Sequence, residues 1–203
     1  PYIKEYGADG IILSDIALID LAVENGLEAH VSVQENTTNF YALKTLERLG
    51  AKRAILSREL SLEEIKEIRA NTPPELELEC FIHGSMCISY SGRCLISNHF
   101  TGRDANRGAC AQPCRWNYTI RGYEITEEKR PDCVMPVEEV NGETFIMASR
   151  DTCTIEHIPE LVEAGIHSFK IEGRMKKPEY VALVTAMYRK YVDKYFAVGK
   201  STG

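Results

Sequence analysis

The sequence lacks the features that mark membrane, secreted and several hydrolytic proteins. No stretch approaches the roughly 18 consecutive apolar residues that a membrane-spanning helix requires. The N-terminus has neither the basic start nor the apolar run of a secretion signal. Neither a Ser-His-Asp spacing nor the His-Glu-x-x-His motif of zinc proteases occurs. We therefore expect a cytoplasmic protein with no membrane association, and motifs give no support for a hydrolase.

The composition is that of an ordinary globular protein. Of its 203 residues, 44% are hydrophobic and 27% are charged, which allows one sizeable core, and the net charge is −6. The chain opens on Pro1 rather than Met and closes on a polar segment from Gly199, so we expect a fragment of a longer protein. Seven cysteines without a secretion signal argue against a disulfide framework and favour metal or redox chemistry.

The first part of the chain repeats a strand-helix unit. Each unit combines a short apolar run with a segment whose apolar residues recur at helical spacing. Gly26 and Gly50 follow two of the helices, as expected of C-caps. Ser61 and Glu64 have the spacing of a capping box, which marks the start of the third helix. We predict helices over 16–25, 41–49 and 62–70, and strands over 10–14, 29–33, 54–57 and 76–83.

The repeat is interrupted after the fourth strand and resumes near residue 145. Residues 1–87 form the first βα repeats, 88–144 a cysteine- and arginine-rich insertion, and 145–203 the resumed repeats. Within the insertion we predict a strand over 116–120 and a hairpin over 137–145, whose Asn-Gly pair suits a two-residue turn. The resumed part is predicted to contain helices over 159–164 and 179–195, and strands over 145–149 and 167–172.

A regular βα repeat predicts an α/β fold with a parallel sheet, since parallel neighbours need helical crossovers of a dozen or more residues. Six predicted strands are too few to close an eight-stranded barrel, and the expected truncation accounts for the shortfall. We therefore predict a partial (β/α) TIM-like barrel with a cysteine-rich, partly β insertion after the fourth strand. An open doubly wound sheet is the alternative, which the absence of a glycine-rich dinucleotide loop after the first strand weakens.

Side chains that could perform chemistry follow the predicted strands. In a barrel of this kind the working face lies at the carboxyl ends of the strands. Three of the residues expected there have side chains able to act as acid, base or ligand: His83, Asp151 and Glu172. A single His is more often structural than catalytic. The sequence does not decide among these three candidates.

Five of the seven cysteines are candidates for one site, namely Cys87, Cys94, Cys110, Cys114 and Cys153. Zinc sites usually use paired hooks of two to four residues, and only Cys110 and Cys114 fit that spacing. Iron-sulfur clusters accept irregular spacing when a fold gathers the thiolates, often four. We predict a [4Fe-4S] cluster on Cys87, Cys94, Cys110 and Cys153, with Cys114 as the alternate ligand. Zinc and unligated thiols are the alternatives, and we expect no role for Cys80, in an apolar strand, or Cys133, in a polar loop.

Positive charge concentrates around these cysteines although the chain is acidic overall. Between Ser85 and Gly122 there are five arginines and one acid, Asp104, and a second basic patch follows the last predicted strand. Clustered Arg beside aromatic side chains suits phosphate binding and base stacking, as in RNA recognition. Solvated loop charge, or ion pairs with the many Glu, is the alternative. The predicted RNA-binding residues are Arg103, Arg107, Arg115, Trp116, Arg174 and Lys176.

Three stretches resemble the signatures of peptidase family U32, the collagenase-like proteins. They are Glu79-Cys-Phe-Ile-His-Gly-Ser-Met-Cys-Ile-Ser-Tyr-Ser-Gly-Arg-Cys94, Gly102–Trp116 and Ser168–Val181. The similarity extends over nearly the whole chain, and the first part of the family's barrel and its C-terminal extension are what look missing. Relatives often carry Thr at the position of Val33, so we do not expect this chain to make the contacts of that Thr side chain.

The resemblance implies a function in RNA modification. Similar members are linked to 5-hydroxylation of the tRNA wobble uridine or of a ribosomal RNA cytidine, with prephenate implicated as a hydroxyl source. Another branch supports ubiquinone hydroxylation and binds [4Fe-4S] clusters through cysteines of this region. We therefore expect an iron-sulfur-dependent tRNA hydroxylase with prephenate as co-substrate. A collagenase-like peptidase and a cluster-bearing accessory subunit that binds a protein partner are the alternatives.

Overall fold

A computed structural model describes residues 2–116, 124–127, 130–136 and 149–198. The strands are β1 (Gly10–Leu13), β2 (Glu28–Val31), β3 (Arg53–Ile55), β4 (Glu77–Ser85), β5 (Glu124–Glu127), β6 (Arg130–Pro136), β7 (Asp151–Cys153) and β8 (Ser168–Ile171). The α-helices are α1 (Tyr2–Glu5), α2 (Ile19–Glu24), α3 (Phe40–Arg48), α4 (Leu62–Ala70), α5 (Ile96–Thr101), α6 (Ile158–Glu163) and α7 (Pro178–Val198).

Five parallel strands form the main sheet, in the order β1, β2, β3, β4 and β8. Their order in space is therefore their order along the chain. A doubly wound sheet reverses direction at a switch point, whereas this sheet is wound in one direction, as the wall of a (β/α) barrel is. The predicted α/β class and the partial TIM-like barrel are confirmed, and the described strands show no such reversal.

The helix boundaries follow from local chemistry. Ser61 caps α4 with the predicted capping box: its hydroxyl accepts from the Glu64 N–H at 3.3 Å, and its own N–H donates to Glu64 at 2.7 Å. Asn39 caps α3 by accepting from the N–H of Ala42 at 3.0 Å. Most predicted helices and parallel strands lie within a few residues of the observed ones, because capping and periodicity are local signals.

The two faces of the sheet differ in chemistry. Ala29, Ala54 and Leu78 are fully buried on the face that packs against the helices. Because strand side chains alternate, their neighbours lie on the opposite face, where charges are paired: Arg53 bonds Glu77 at 2.5 Å, and Lys170 bonds Glu79 at 2.8 Å. This second face corresponds to the inside of a barrel.

The structure corrects the prediction for the insertion. Residues 124–136 contain an antiparallel pair, β5 with β6, so Cys133 lies in a strand rather than in a loop. Trp116 lies outside any strand, and the rest of the predicted strand at 117–120 falls outside the described residues. The predicted hairpin at 137–145 and the strand at 145–148 also fall outside them.

A second correction concerns residues 151–153. They form β7, which runs antiparallel to the end of β4, with Ser85 opposite Asp151 and His83 opposite Cys153. Cys153 therefore lies within a strand, and the parallel strand predicted before it, at 145–149, falls almost wholly outside the described residues. Within the described ranges, no helix combines the length and hydropathy needed to cross a membrane.

Candidate functional site

A cavity of about 270 Å³ lies at the carboxyl ends of the parallel strands, between the sheet and the cysteine-rich insertion. Gln34 and Arg58, just after β2 and β3, contribute from the sheet side, and Glu172 and Arg174 contribute from the segment after β8. This is the edge of the sheet at which barrel enzymes place their chemistry. Of the strand-end residues named from the sequence, Glu172 lines this cavity.

The insertion docks onto the sheet through one short loop. Ser91 is fully buried, and its N–H and hydroxyl donate to the Glu59 carboxylate at 2.5 and 2.9 Å. Gly92 has a φ of +71°, and a Cβ at that position would overlap the carbonyl oxygen of Gln34. The close approach therefore requires glycine. These contacts hold the insertion, which forms one wall of the cavity, against the segments that follow β2 and β3.

Hydrogen bonds inside the insertion set the positions of the cysteines. The Asn106 side chain exchanges two bonds with the backbone of Cys94, at 3.1 and 3.0 Å. The buried hydroxyl of Ser97 donates to Arg103 O at 2.8 Å and accepts from Ala111 N at 3.0 Å. The cysteine loops are thus held by polar contacts rather than by a hydrophobic core.

Four thiols line the cavity, those of Cys87, Cys94, Cys110 and Cys114. Burial raises the pKa of Cys114, and the negative charge of the neighbouring Cys87 and Cys110 thiolates raises it further, against the opposing effect of Arg115. The structure therefore brings the predicted Cys87, Cys94 and Cys110 together with the alternate ligand, Cys114.

Cys153 lies outside this lining. It is exposed, and its sulfur lies 3.8 Å from the hydroxyl of Tyr188. That hydroxyl donates to Ile82 O at 3.0 Å and accepts from Thr154 N at 3.1 Å, so Tyr188 ties α7 to β4 and to the residue after β7. The choice between Cys114 and Cys153 as fourth ligand stays a prediction.

The donor set at this cavity is cysteine thiolate, the ligand type that iron-sulfur clusters use. Within the described parts of the chain, no group of three or more His, Cys, Asp or Glu side chains is arranged to hold a metal ion. Zinc binds thiolates at about 2.3 Å, which requires four sulfurs packed around one point. Iron-sulfur clusters are commonly held by four cysteine thiolates, and four thiols line this cavity.

The three candidate catalytic residues have different surroundings. His83 pairs with Tyr180 at 2.9 Å and Tyr188 at 3.3 Å, and burial lowers its pKa. Burial alone would raise the pKa of Asp151, but Lys176 and Arg115 together hold it below its ordinary value. Both side chains are therefore occupied by neighbours.

Glu172 is the candidate whose carboxylate faces the cavity. One oxygen accepts from Arg174 N at 3.1 Å and from the Gln112 amide at 3.4 Å. The other, Oε2, is buried and has no partner among the described residues. An unpaired buried carboxylate oxygen is costly unless a ligand supplies a proton donor. Of the three candidates, Glu172 is the one available to a bound molecule.

The predicted RNA-binding residues divide into two groups. Arg115 and Lys176 form ion pairs with Asp151 at 2.8 and 3.2 Å, so they connect the insertion, β7 and the segment after β8. The other four are exposed and available to solvent, namely Arg103, Arg107, Trp116 and Arg174. Their role in binding RNA stays a prediction.

A second cavity, of about 250 Å³, adjoins the first on the sheet face opposite the helices. Arg107 of the insertion and Ser32 after β2 line it, and Phe81 and Lys170 line both cavities. Lys170 Nζ and the Arg58 guanidinium each lie 5.8 Å from the Phe81 ring centroid. Phe81 was not among the residues predicted from the sequence. Its alternation with buried Cys80 and Ile82 could have indicated that its side chain lies on the opposite face of the sheet.

Comparison with known proteins supplies the family. The model of peptidase family U32 matches residues 1–202. The chain belongs to peptidase family U32. It is 42% identical, over 97% of its length and 46% of the relative's, to "tRNA hydroxylation protein P1" of Bacillus subtilis (strain 168). It is 36% identical, over 92% of its length and 26% of the relative's, to "23S rRNA 5-hydroxycytidine C2501 synthase" of Escherichia coli (strain K12).

The coverage of the relatives is partial. The chain spans about half the length of the tRNA hydroxylation proteins it matches, between 45% and 50%. A solved U32 peptidase structure aligns over 83% of this chain and 56% of that chain, with a TM-score of 0.42 and 17% identity. Each of these similarities therefore covers only part of the relative's chain.

Proposed function

We propose that this U32 protein takes part in the hydroxylation of RNA, with 5-hydroxylation of the tRNA wobble uridine as its reaction. The observation that carries the proposal is the cavity at the strand ends, where four thiols, an unpaired Glu172 oxygen and four cationic side chains converge. The names of the RNA-hydroxylation relatives supply the reaction class. Exposed Arg103, Arg107 and Arg174 would contact phosphates.

The cofactor in this proposal is a [4Fe-4S] cluster. Cys87, Cys94 and Cys110 would each supply a thiolate, and Cys114 or Cys153 the fourth. When bound, the cluster supplies electron transfer or a site for an oxygen donor. In the full-length protein, each of the substitutions C87S, C94S and C110S should abolish the binding of stoichiometric iron and sulfide. Only one of C114S and C153S should do the same, and zinc in place of iron would contradict the assignment.

Within the site, Glu172 is the proposed acid-base residue. Its buried Oε2 lacks a partner among the described residues, whereas the other two candidates are paired. A carboxylate so placed can accept a proton from a bound molecule. Glu172→Gln should retain the iron content and lose most of the hydroxylation, while a similar loss for His83→Gln alone would favour the other candidate.

The oxygen donor is a co-substrate, because replacing C–H by C–OH adds an oxygen atom and removes two electrons. Prephenate is our proposal, on the strength of the family resemblance, and the Arg58 guanidinium, which lines the cavity of the four thiols, suits one of its carboxylates. Cells blocked before prephenate formation should lose the modified nucleoside and regain it when the block is relieved.

Nucleoside mass spectrometry of tRNA tests the reaction itself. A strain that lacks the gene should lose 5-hydroxyuridine and regain it when the full-length protein is restored. Unchanged 5-hydroxyuridine would refute the proposal. The family's description as a peptidase keeps one alternative open: cleavage of a collagen peptide by the purified protein, abolished by a single substitution, would support it.

A further inference from the structure

The two cavities at the strand ends share one wall. Val33, Gln34, Phe81, Lys170 and Arg174 line both of them. A molecule held in the second cavity therefore lies directly beside the thiol-lined one. We propose that the second cavity receives the target nucleobase of the RNA, with Gln34 contacting the base edge and Arg107 and Arg174 the adjoining phosphates. This inference rests on the proposed function.

The second cavity has the composition that a nucleobase requires. Enzymes that modify a base take it out of the stack into a pocket, which reads the base edge by hydrogen bonds and packs apolar groups against its faces. Ile55, Val33 and Phe81 supply apolar wall, and Ser32 and Gln34 supply polar groups. The thiol-lined cavity, in contrast, contains the four cysteines and Glu172. We therefore assign binding of the base to the second cavity and the chemistry to the thiol-lined cavity.

Gln34 is held in place for this contact. Its N–H donates to the Ser32 hydroxyl at 3.3 Å, and its side-chain Oε1 accepts from that same hydroxyl. The close approach of Gly92 fixes its backbone. Its side-chain Nε2 has no partner among the described residues, so it can donate to a carbonyl oxygen of a pyrimidine. A positioned amide of this kind discriminates base edges.

Arg107 and Arg174 lie at the rim of the second cavity. The Arg107 side chain is 86% exposed, with Asp104 at 3.7 Å as its ion-pair partner. The Arg174 side chain is exposed and has no partner among the described residues. Lys170, in contrast, bonds Glu79 at 2.8 Å. Two exposed guanidinium groups at the rim, one of them without a partner among the described residues, suit phosphates that remain outside while the base enters.

The experiment uses the full-length protein and tRNA from a strain that lacks the gene. Arg107→Ala and Arg174→Ala should each weaken tRNA binding several-fold and reduce the salt dependence of the affinity by about one counterion. Gln34→Ala should lower the rate of hydroxylation about 10-fold or more, with the iron and sulfide content unchanged. Arg48→Ala, on the outer surface of α3, is the matched control and should match the wild type.

A photo-crosslink gives a readout that does not depend on turnover. An anticodon stem-loop with 4-thiouridine at the target position should crosslink to the peptide that contains Ser32, Val33 and Gln34, or to the one that contains Phe81. If the wild type hydroxylates tRNA but all three variants match it, or the crosslink maps elsewhere, the pocket assignment is wrong and the proposed function stands. If the wild type neither modifies nor crosslinks tRNA, both are wrong.

Discussion

The sheet and the cysteine-rich insertion are held together in different ways. The hydrophobic core joins residues of β1–β4, the helices α2–α4, α6 and α7 and neighbouring segments, and no residue of 86–116 belongs to it. The insertion instead uses polar anchors, such as Ser91 on Glu59 and Asn106 on Cys94. A buried apolar side chain tolerates exchange of one apolar neighbour for another, whereas a hydrogen bond is lost when its donor or acceptor is replaced. The scaffold and the candidate site should therefore respond differently to mutation.

The largest effect is expected in the sheet. Leu78 is fully buried in the core, so Leu78→Ala should lower the free energy of unfolding by about 2–5 kcal/mol through lost burial and a residual cavity. Denaturant unfolding of the full-length protein measures this loss. Leu183→Ala, on the exposed side of α7, is the control. Equal effects of the two substitutions would contradict the assignment of the core.

The second effect separates docking of the insertion from folding of the sheet. Gly92→Ala should cost about 1–3 kcal/mol, since it places a side chain at positive φ and against the Gln34 carbonyl oxygen. Gly102 has a φ of +69° with open space around its Cβ position, so Gly102→Ala carries the backbone strain alone. Iron content, and hydrogen exchange of the loop around residue 92, should change in the first variant only. Equal behaviour would show that contact with Gln34 is unimportant.

A third, smaller effect concerns the charged face of the sheet. Burial disfavours the Glu79 carboxylate, but bonds from Lys170 and Ser168 outweigh it and lower the pKa. A carboxylate with a lowered folded-state pKa stabilises the fold above its unfolded pKa of about 4.3 and loses that effect as the pH falls through the folded-state value.

Glu79→Gln should therefore cost about 1.5 kcal/mol at neutral pH, and the difference from the wild type should shrink as the pH falls from the unfolded pKa through the lower folded-state pKa. Unfolding measured across this range tests the sign. Glu67→Gln, on the exposed face of α4, serves as control. A difference that grows towards acid pH would be the opposite of the expected result.

The smallest effect is expected for Ser91→Ala, at about 1 kcal/mol. The change removes the hydroxyl that donates to Glu59 and accepts from Arg58. Ser89, in the same loop, has no hydrogen-bond partner among the described residues, so Ser89→Ala is its matched control. Faster hydrogen exchange around residue 91 in the first variant, with unfolding of the sheet nearly unchanged, would support the contrast between the two regions. Equal exchange in both variants would argue against it.

The sequence predicted the sheet and its helices more accurately than the insertion. The βα repeat, the capping box at Ser61 and the long helix α7 were predictable because periodicity and capping act within a few residues. The antiparallel strand β7 and the pairing of β5 with β6 were missed, because short polar strands carry no periodic signal. The candidate cysteines were recognised, but their spacing did not separate Cys114 from Cys153.

Several features of this protein were determined by the sequence alone: the α/β class, the family signature and the residue types of the candidate site. Local hydrophobic pattern and specific motifs carry that information. Tertiary structure decided which cysteines line one cavity, that Arg115 and Lys176 are paired with Asp151, and that Glu172 has an unpaired oxygen. Those facts depend on contacts between residues far apart in the chain, and neither spacing nor composition encodes which partner each side chain meets.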